Sequence, residues 1–302
     1  MVQFTMRIVT RPDFDGVVGA VLLKDVLDIS TPVKWIEPYE LREGYDIIKM
    51  GDIIVNLPYV EGCYLWFDHH YSNQIDKPFN GLFKMSPSAA GVVYEYYNNK
   101  FSRDFSELVS ETDKIDSANY SIDEVLHPEK YPYIMLDFTI SGRNKADEFY
   151  WNKVIGLLGK CNIETVLTDH DVQKKCNIFI EENKKYMNYL KKYTTNHSGI
   201  TVTDFRTLEI EPMGNRFLVY SIFPESIGNV KIRYEKNNRE KIIVSLGQNI
   251  FNSKGNVNLG YLVSKYGGGG HPGAGSCSFP AIGADEKIAE ILKILSRNEK
   301  ID

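Results

Sequence analysis

The stretch CYLWFDHH, residues 63–70, passes without a break from large apolar side chains into one carboxylate and two imidazoles. Its first part, residues 63–67, predicts a β-strand because it is apolar and rich in aromatic side chains. Asp68, His69 and His70 would then follow the carboxyl end of that strand. Imidazole together with carboxylate suits Mn²⁺, Fe²⁺ or Zn²⁺ better than an ion that prefers oxygen ligands alone. The stretch therefore predicts a strand leading into a metal site, against the alternative of a polar loop with incidental histidines.

Strands and helices alternate around this stretch. Residues 6–10 are a short strand candidate, and residues 17–27 follow as a helix with apolar side chains around most of its circumference. Residues 52–57 are a second strand candidate. A helix is expected to start near residues 86–88, which include a proline, and to continue over 89–97. Such alternation is typical of an α/β fold with a parallel sheet.

Polar residues stand where each predicted strand ends. Asp13 and Asp15 lie in the loop after the first strand. Asn56 closes the second strand, and residues 68–70 follow the third. In open α/β sheets ligands bind beyond the carboxyl ends of the strands, so we expect these groups to converge on one rim. Taken alone, the loop 11–16 also fits an ordinary turn, since Asp and Gly are common turn formers.

A pair of aspartates further along the chain completes the acidic candidates. Asp113 and Asp116 are three residues apart and would share one face of a helix. One of them could bind a metal ion while the other orients it. The alternative is a solvated acidic helix face, and the sequence leaves open which aspartate would be the ligand.

A glycine-rich stretch lies near the end of the chain. Four consecutive glycines, 267–270, are conformationally costly, so the backbone there must come close to something. The N–H groups of Gly268, Gly269 and Gly270 can cradle an anion. His271 can add a hydrogen bond or a positive charge. Because apolar residues flank the stretch, a phosphate-binding turn is a better interpretation than a flexible linker.

A length of 302 residues predicts two domains. Residues 164–193 have a helical, Lys-rich pattern. The polar stretch 194–199 is predicted to link a domain of residues 1–193 to a smaller α/β domain of residues 200–302. The strand candidates of the second domain, followed by a last helix at 285–295, are residues 200–205, 216–223, 230–234 and 241–247.

Composition is that of an ordinary globular enzyme, with 43% hydrophobic and 25% charged residues. The formal net charge of −5 argues against broad binding to duplex DNA but leaves room for a short nucleotide. Four scattered cysteines give neither a disulfide framework nor metal-ligand spacing. The first residues look like a strand and not a signal peptide, and no apolar run reaches the roughly 18 residues that cross a bilayer. A cytoplasmic location without membrane contact is expected.

Taken together, these motifs resemble the DHH phosphoesterase family, over nearly the whole chain. The residues that carry the resemblance stand in family order: Asp13 and Asp15 for the first motif, Asp68-His69-His70 for the third, Asp113 or Asp116 for the fourth, and residues 267–275 for the glycine-rich signature of the DHH-associated C-terminal domain. Within the family the chain is most similar to exopolyphosphatase-related and nano-RNA phosphatase-like proteins.

The resemblance implies an α/β fold in which an N-terminal parallel-sheet DHH domain and a smaller C-terminal α/β domain flank an active-site cleft. It implies metal-dependent hydrolysis of a phosphoester or phosphoanhydride bond in a small phosphorylated substrate: a short oligonucleotide, a nucleotide or polyphosphate. The implied cofactor is manganese, one or two ions, with Mg²⁺ as the alternative. Short single-stranded nucleic acid is a candidate partner, and a homodimer is compatible with the family.

The resemblance also implies roles for individual residues. Asp15, His69 and Asp113 would bind one metal ion and Asp13 the other, with Asp68 and Asn56 counted in the same metal-binding set. His70 would touch the substrate phosphate or protonate the leaving group. The residues implied to hold the rest of the substrate are Gly268, Gly269, Gly270, His271, Asn249 and Asn252.

Two departures from the family pattern concern the metals. Val9 stands where the first motif usually opens with His, and Asn56 stands where many members have a bridging Asp. Asp52 lies at the other end of the same strand, on the order of 13 Å away at about 3.3 Å per residue. One solution is a single ion supported by Arg11 as a cation for phosphate. The alternative is a catalytically degenerate regulatory protein that binds a nucleotide or polyphosphate without cleaving it.

Overall fold

The computed structural model describes residues 5–42, 48–142 and 145–301. The chain forms two compact units, made respectively of residues 1–120 with 128–178 and of residues 121–127 with 179–302. The predicted domain limits and the expected cleft stay predictions. Among the described residues, no helix combines the length and the apolar character needed to cross a membrane.

The first unit is built on a five-stranded sheet in the order β2-β1-β3-β4-β5. Its strands are β1 (Arg7–Thr10), β2 (Lys34–Trp35), β3 (Asp52–Val55), β4 (Leu65–Asp68) and β5 (Gly81–Phe83). All four pairings are parallel, which confirms the predicted sheet. Every residue of β3 and β4 is buried, as expected for strands of a parallel sheet covered on both faces.

Short and long helices connect the strands of both units. In chain order they are α1 (Phe14–Leu27), α2 (Pro38–Arg42), α3 (Ala89–Tyr97), α4 (Ser106–Asp116), α5 (Ile122–Leu126), α6 (Pro132–Asp137), α7 (Glu148–Leu158), α8 (Ile163–Leu167), α9 (His170–Tyr193), α10 (Leu218–Ile222), α11 (Leu259–Ser264) and α12 (Ala284–Arg297).

Two helix starts matter for the site because side chains fix both of them. At α1, Asp13 Oδ1 accepts a hydrogen bond from Gly16 N at 2.9 Å, so the helix begins three residues before the predicted residue 17. At α3, Ser88 Oγ accepts from Gly91 N at 2.9 Å, and the helix covers 89–97 as predicted. Both helix N-termini therefore lie close in sequence to candidate site residues.

The second unit contains a six-stranded sheet in the order β10-β11-β9-β8-β7-β6. Its strands are β6 (Thr194–His197), β7 (Ile200–Asp204), β8 (Gly228–Glu235), β9 (Asn238–Gln248), β10 (Gly269–His271) and β11 (Ala274–Pro280). Strands β7 and β8 are parallel and the other pairs are antiparallel. Helices α11 and α12 supply Leu262, Val263 and Ile291 to its apolar core.

Two segments of this unit differ from expectation. Residues 194–199 are strand β6 and its turn, because the polar side chains of an edge strand face solvent and give no apolar signal. Residues 216–223, expected to be a strand, contain helix α10 instead. Asn215 Oδ1 accepts from Phe217 N at 2.9 Å just before that helix. A short apolar run does not distinguish a buried strand from a buried helix by periodicity.

Candidate metal centre

The carboxyl ends of β1, β3 and β4 bring the predicted polar groups together. Asn56, directly after β3, donates from Nδ2 to Asp13 Oδ1 at 2.9 Å. His69, directly after β4, has its Nε2 3.8 Å from Asp15 Oδ2. Neighbouring parallel strands end at the same edge of the sheet, so residues more than 40 positions apart in sequence meet there.

Asp15 is a buried carboxylate held between two helix starts. It lies in the first turn of α1, and its two oxygens accept hydrogen bonds from Ala89 N at 2.9 Å and Ala90 N at 2.7 Å, at the start of α3. Burial raises the pKa of Asp15, while the nearby His69 and the two N–H groups lower it. The net pKa is raised, so the carboxylate form depends on positive groups around it.

His69 is fixed with one ring nitrogen toward the acidic residues. Its Nδ1 lies 2.9 Å from the Ser86 carbonyl oxygen. A carbonyl only accepts, so Nδ1 carries the hydrogen and Nε2 is left with a lone pair. That Nε2 is buried, has no hydrogen-bond partner among the described residues, and lies 3.4 Å from Asp116 Oδ2. Metal-binding histidines are oriented in this way by a carbonyl on the other nitrogen.

Asp116, and not Asp113, lies next to Asp15 and His69. One donor atom from each of Asp15, His69 and Asp116 falls within 4.8 Å of the others. Asp113 instead accepts from Ser88 Oγ at 2.5 Å, so it holds the residue that caps α3. Burial and the like charges of Asp15 and Asp13 raise the pKa of Asp116 well above its usual range. Such a concentration of negative charge fits a divalent cation.

Asp68 and His70 form a second, internally bonded pair. Asp68 Oδ1 lies 2.8 Å from His70 Nδ1, and Asp68 Oδ2 accepts from Asn73 Nδ2 at 2.6 Å. Burial alone would lower the pKa of His70, but the hydrogen bond to Asp68 and its charge raise it. Asp68 therefore orients His70 and favours its protonated form. Asp68, His69 and His70 also each have one possible ligand atom within 4.8 Å of the others, as a metal site requires.

Arg11 places a fixed positive charge beside the carboxylates. Its Nε lies 3.4 Å from Asp13 Oδ2 and 3.9 Å from Glu37 Oε2. The charge of Asp13 raises the pKa of Arg11, against the opposing effect of burial. Glu37 was missed from the sequence, as was Asn73, because neither belongs to a recognisable motif. Glu37 could have been found from its position, because it is a polar residue just after the short strand β2 and so lies at the same rim.

Buried polar atoms without a partner cluster at this rim. Such atoms are rare in native proteins and call for an ion, water or ligand. In the described part of the chain eight side-chain atoms have this property, and half of them are rim atoms: Thr10 Oγ1, Arg11 Nε, Asn56 Oδ1 and His69 Nε2. The concentration at one edge fits a site that binds an ion and an anionic ligand.

The glycine-rich stretch forms the exposed hairpin of β10 and β11 at the edge of the second sheet. A Cβ on Gly268 would collide with the Ser276 carbonyl oxygen, and one on Gly270 with that of Ala274. These two glycines are required by packing. Around Gly269, in contrast, no described atom lies within 4 Å of such a Cβ, so its backbone is open to a ligand.

Asn249 and Asn252 brace the loop after β9. Asn249 is 3% exposed; it donates to Ser226 O at 2.7 Å and accepts from Phe251 N at 2.9 Å. Asn252 donates to the same carbonyl at 3.2 Å. Both side chains therefore have bonds within the protein, and contact with a substrate stays a prediction.

No protein-family model matches the sequence, and no curated protein matches it. A solved structure does: a pGpG-specific phosphodiesterase, PggH, from Vibrio cholerae, with a TM-score of 0.83 and 29% identity over 97% of this chain and 100% of that one. This similarity confirms the predicted resemblance to the DHH phosphoesterases.

More distant solved structures share the fold of this chain. An exopolyphosphatase-related protein from Bacteroides fragilis has a TM-score of 0.57 and 12% identity over 97% of this chain and 93% of that one. RecJ from Thermus thermophilus, solved with Mn²⁺, has a TM-score of 0.58 and 13% identity over 97% of this chain and 52% of that one. At these identities the likeness concerns the fold alone.

Proposed function

We propose that this chain is a metal-dependent phosphodiesterase whose divalent ion is held by Asp15, His69 and Asp116. The observation that carries the proposal is the His69 ring, since its Nδ1 is held by a carbonyl and its buried Nε2 faces two carboxylates. Carboxylate with imidazole suits manganese. The RecJ structures with Mn²⁺ or Mg²⁺ bound support Mn²⁺ as the first choice and Mg²⁺ as the second.

Each of the remaining rim residues has a chemical role in this proposal. When bound, the ion supplies Lewis-acid chemistry and lowers the pKa of a water. Arg11 binds the substrate phosphate, because a guanidinium is always charged and its planar fork matches phosphate oxygens. His70 donates a proton to the leaving oxygen. Its hydrogen bond to Asp68 orients the ring for that transfer.

The proposed substrate is a short linear dinucleotide. The similar Vibrio structure is named as a pGpG-specific phosphodiesterase, which supports this class over polyphosphate. Tyr71 directly follows His70 and is 74% exposed, so its ring offers a surface on which a base can stack. The glycine-rich hairpin, with Gly268, Gly269, Gly270 and His271, is proposed to bind a phosphate group through its backbone N–H groups.

The test is hydrolysis of linear pGpG by the full chain, measured as release of GMP. Turnover is expected with Mn²⁺, is expected to disappear when a chelator removes the metal, and should return when Mn²⁺ is restored. A rise in the melting temperature with pGpG but no product on long incubation would instead identify a nucleotide-binding regulator.

The two aspartates of α4 are expected to behave differently. Asp116→Asn removes a charged ligand, so the affinity for Mn²⁺ should fall by at least about 10- to 100-fold, the range seen even for outer-shell partners. Asp113→Asn leaves the metal-facing groups in place and should retain most of that affinity. Calorimetric titration of Mn²⁺ into both variants measures the difference. Equal losses would contradict the choice of Asp116.

Removing the ring of Tyr71 should weaken nucleotide binding specifically. Stacking of one base is worth about 1–3 kcal/mol, so Tyr71→Ala should raise the KM for pGpG roughly 5- to 150-fold. Tyr64→Ala is the control, because Tyr64 is an exposed tyrosine before β4, at the opposite edge of the sheet. An unchanged KM in the Tyr71 variant would argue against a base at this position.

A further inference from the structure

We infer that the centre binds one divalent ion, and that the guanidinium of Arg11 stands in place of a second one. The inference rests on the proposed function and makes it more specific. The sequence left one or two metal ions open, with a single ion supported by Arg11 as one alternative, and the side chains of the described residues favour that alternative: they supply ligands for one ion and a fixed positive charge.

The two candidate metal groups share His69. One group is Asp15, His69 and Asp116, and the other is Asp68, His69 and His70. His69 uses Nδ1 on the Ser86 carbonyl, which leaves Nε2 as its one available ligand atom. Asp68 Oδ1 is bonded to His70 Nδ1 at 2.8 Å and Asp68 Oδ2 accepts from Asn73 Nδ2 at 2.6 Å, so both oxygens of this carboxylate are already engaged. The described residues therefore offer a free convergent ligand set for one ion.

Asp13, the remaining carboxylate of the first motif, is neutralised without a metal. Its Oδ1 accepts from Gly16 N and from Asn56 Nδ2, both at 2.9 Å. The amide of Asn56 must present its nitrogen to that oxygen, since the reverse orientation would bring two oxygens within 2.9 Å. Asn56 Nδ2 is thus engaged with Asp13, and the side chain offers only a neutral amide oxygen where a carboxylate would offer a charged one.

Val9 supplies no ligand either. Its side chain is fully buried in an apolar cluster with Ile36, Ile54 and Trp66. The position that usually carries the first-motif histidine is therefore part of the sheet core in this chain. A second ion would have to bind without a nitrogen ligand from β1.

Arg11 supplies the missing positive charge. Its Nε lies 3.4 Å from Asp13 Oδ2 and 3.9 Å from Glu37 Oε2, so the guanidinium is placed among carboxylates. The side chain is 32% exposed, so the outer part of the fork remains accessible to a phosphate. A guanidinium offers two parallel hydrogen bonds to a phosphate, as well as its charge.

The experiment is a Mn²⁺ titration of chelator-treated full-length protein, with bound metal counted by equilibrium dialysis and elemental analysis. The wild-type chain is expected to bind about one ion. The double variant Arg11→Ala/Asn56→Asp removes the guanidinium and adds a carboxylate, so it should bind about two. Asp tolerates the left-handed backbone that Asn56 adopts, with φ of 59°. The control, Arg103→Ala with Asn56→Asp, should remain at about one.

The possible outcomes distinguish a failure of the one-ion inference from a failure of the proposed metal-dependent function. Two ions on the wild-type chain overturn the inference but leave the metal-dependent function standing. A double variant that folds with an unchanged melting curve and still binds one ion overturns the role given to Arg11. No ion on the wild-type chain overturns the proposed function itself. If the double variant fails to fold, the wild-type count still decides between one ion and two.

Discussion

Replacing His69 with alanine is expected to abolish metal-dependent turnover. His69 Nε2 faces both Asp15 and Asp116, at 3.8 and 3.4 Å. Without this nitrogen, only the two like-charged carboxylates would remain to bind the ion. The ion would then be held too weakly to lower the pKa of the attacking water. Mn²⁺ affinity should fall by at least about 100-fold, since even outer-shell partners are worth about 10- to 100-fold. Calorimetric titration of Mn²⁺ and GMP release from pGpG measure the two losses.

The matched control for this variant is His170→Ala. The His170 side chain is 90% exposed and lies beside Asp171 at the start of α9, so its loss should leave metal binding and turnover unchanged. A melting curve for each variant separates a metal effect from unfolding. Unchanged turnover in a folded His69→Ala protein would remove the basis of the proposed metal centre.

A large loss of kcat/KM for pGpG is also expected from Gly16→Ala. A Cβ on Gly16 would collide with the Arg11 carbonyl oxygen and lie 2.6 Å from Thr10 Oγ1 and 3.1 Å from Asp13 Oδ1. The loop must therefore move, and Arg11 and Asp13 move with it. Displacing catalytic groups by about 1 Å can lower the rate about 100-fold, so kcat/KM for pGpG should fall by that order.

Gly156→Ala is the control for a glycine in a helix. No described atom lies within 4 Å of a Cβ there, and the exposed position in α7 should gain up to about 1 kcal/mol of helix propensity. Its activity should equal that of the wild type. A Gly16→Ala protein with wild-type kcat/KM would show that the loop adapts without moving the site.

The sequence predicted the rim because the signal is local to each strand. Apolar runs that end in Asp13, Asn56 and Asp68 identify the carboxyl ends of β1, β3 and β4, and a parallel sheet has to bring those ends together. The start of α3 was predicted near residues 86–88 from their proline, and in the structure Ser88 caps the helix. The strand ends and the helix start depend on residues that are neighbours in sequence, and their convergence follows from the parallel order of the strands.

Local sequence signals could not decide whether Asp113 or Asp116 faces the metal centre. Both lie on one helix face, and what separates them is Ser88, which is 25 residues from Asp113 and binds it. The contribution of Glu37 likewise depends on Arg11, which only the tertiary fold brings within 3.9 Å. The roles of the individual glycines could not be predicted from the sequence either. The packing of β10 on β11 requires glycine at positions 268 and 270, whereas a Cβ at Gly269 would meet no described atom within 4 Å.

The measurement that tests the central claim most directly is GMP release from pGpG by the chelator-treated protein as Mn²⁺ is added back. A metal-dependent phosphodiesterase with its ion on Asp15, His69 and Asp116 should be inactive without metal. It should regain turnover with Mn²⁺ and lose it in the Asp116→Asn variant at the same Mn²⁺ concentration. Turnover that persists after complete metal removal, or that survives in that variant, would contradict the account.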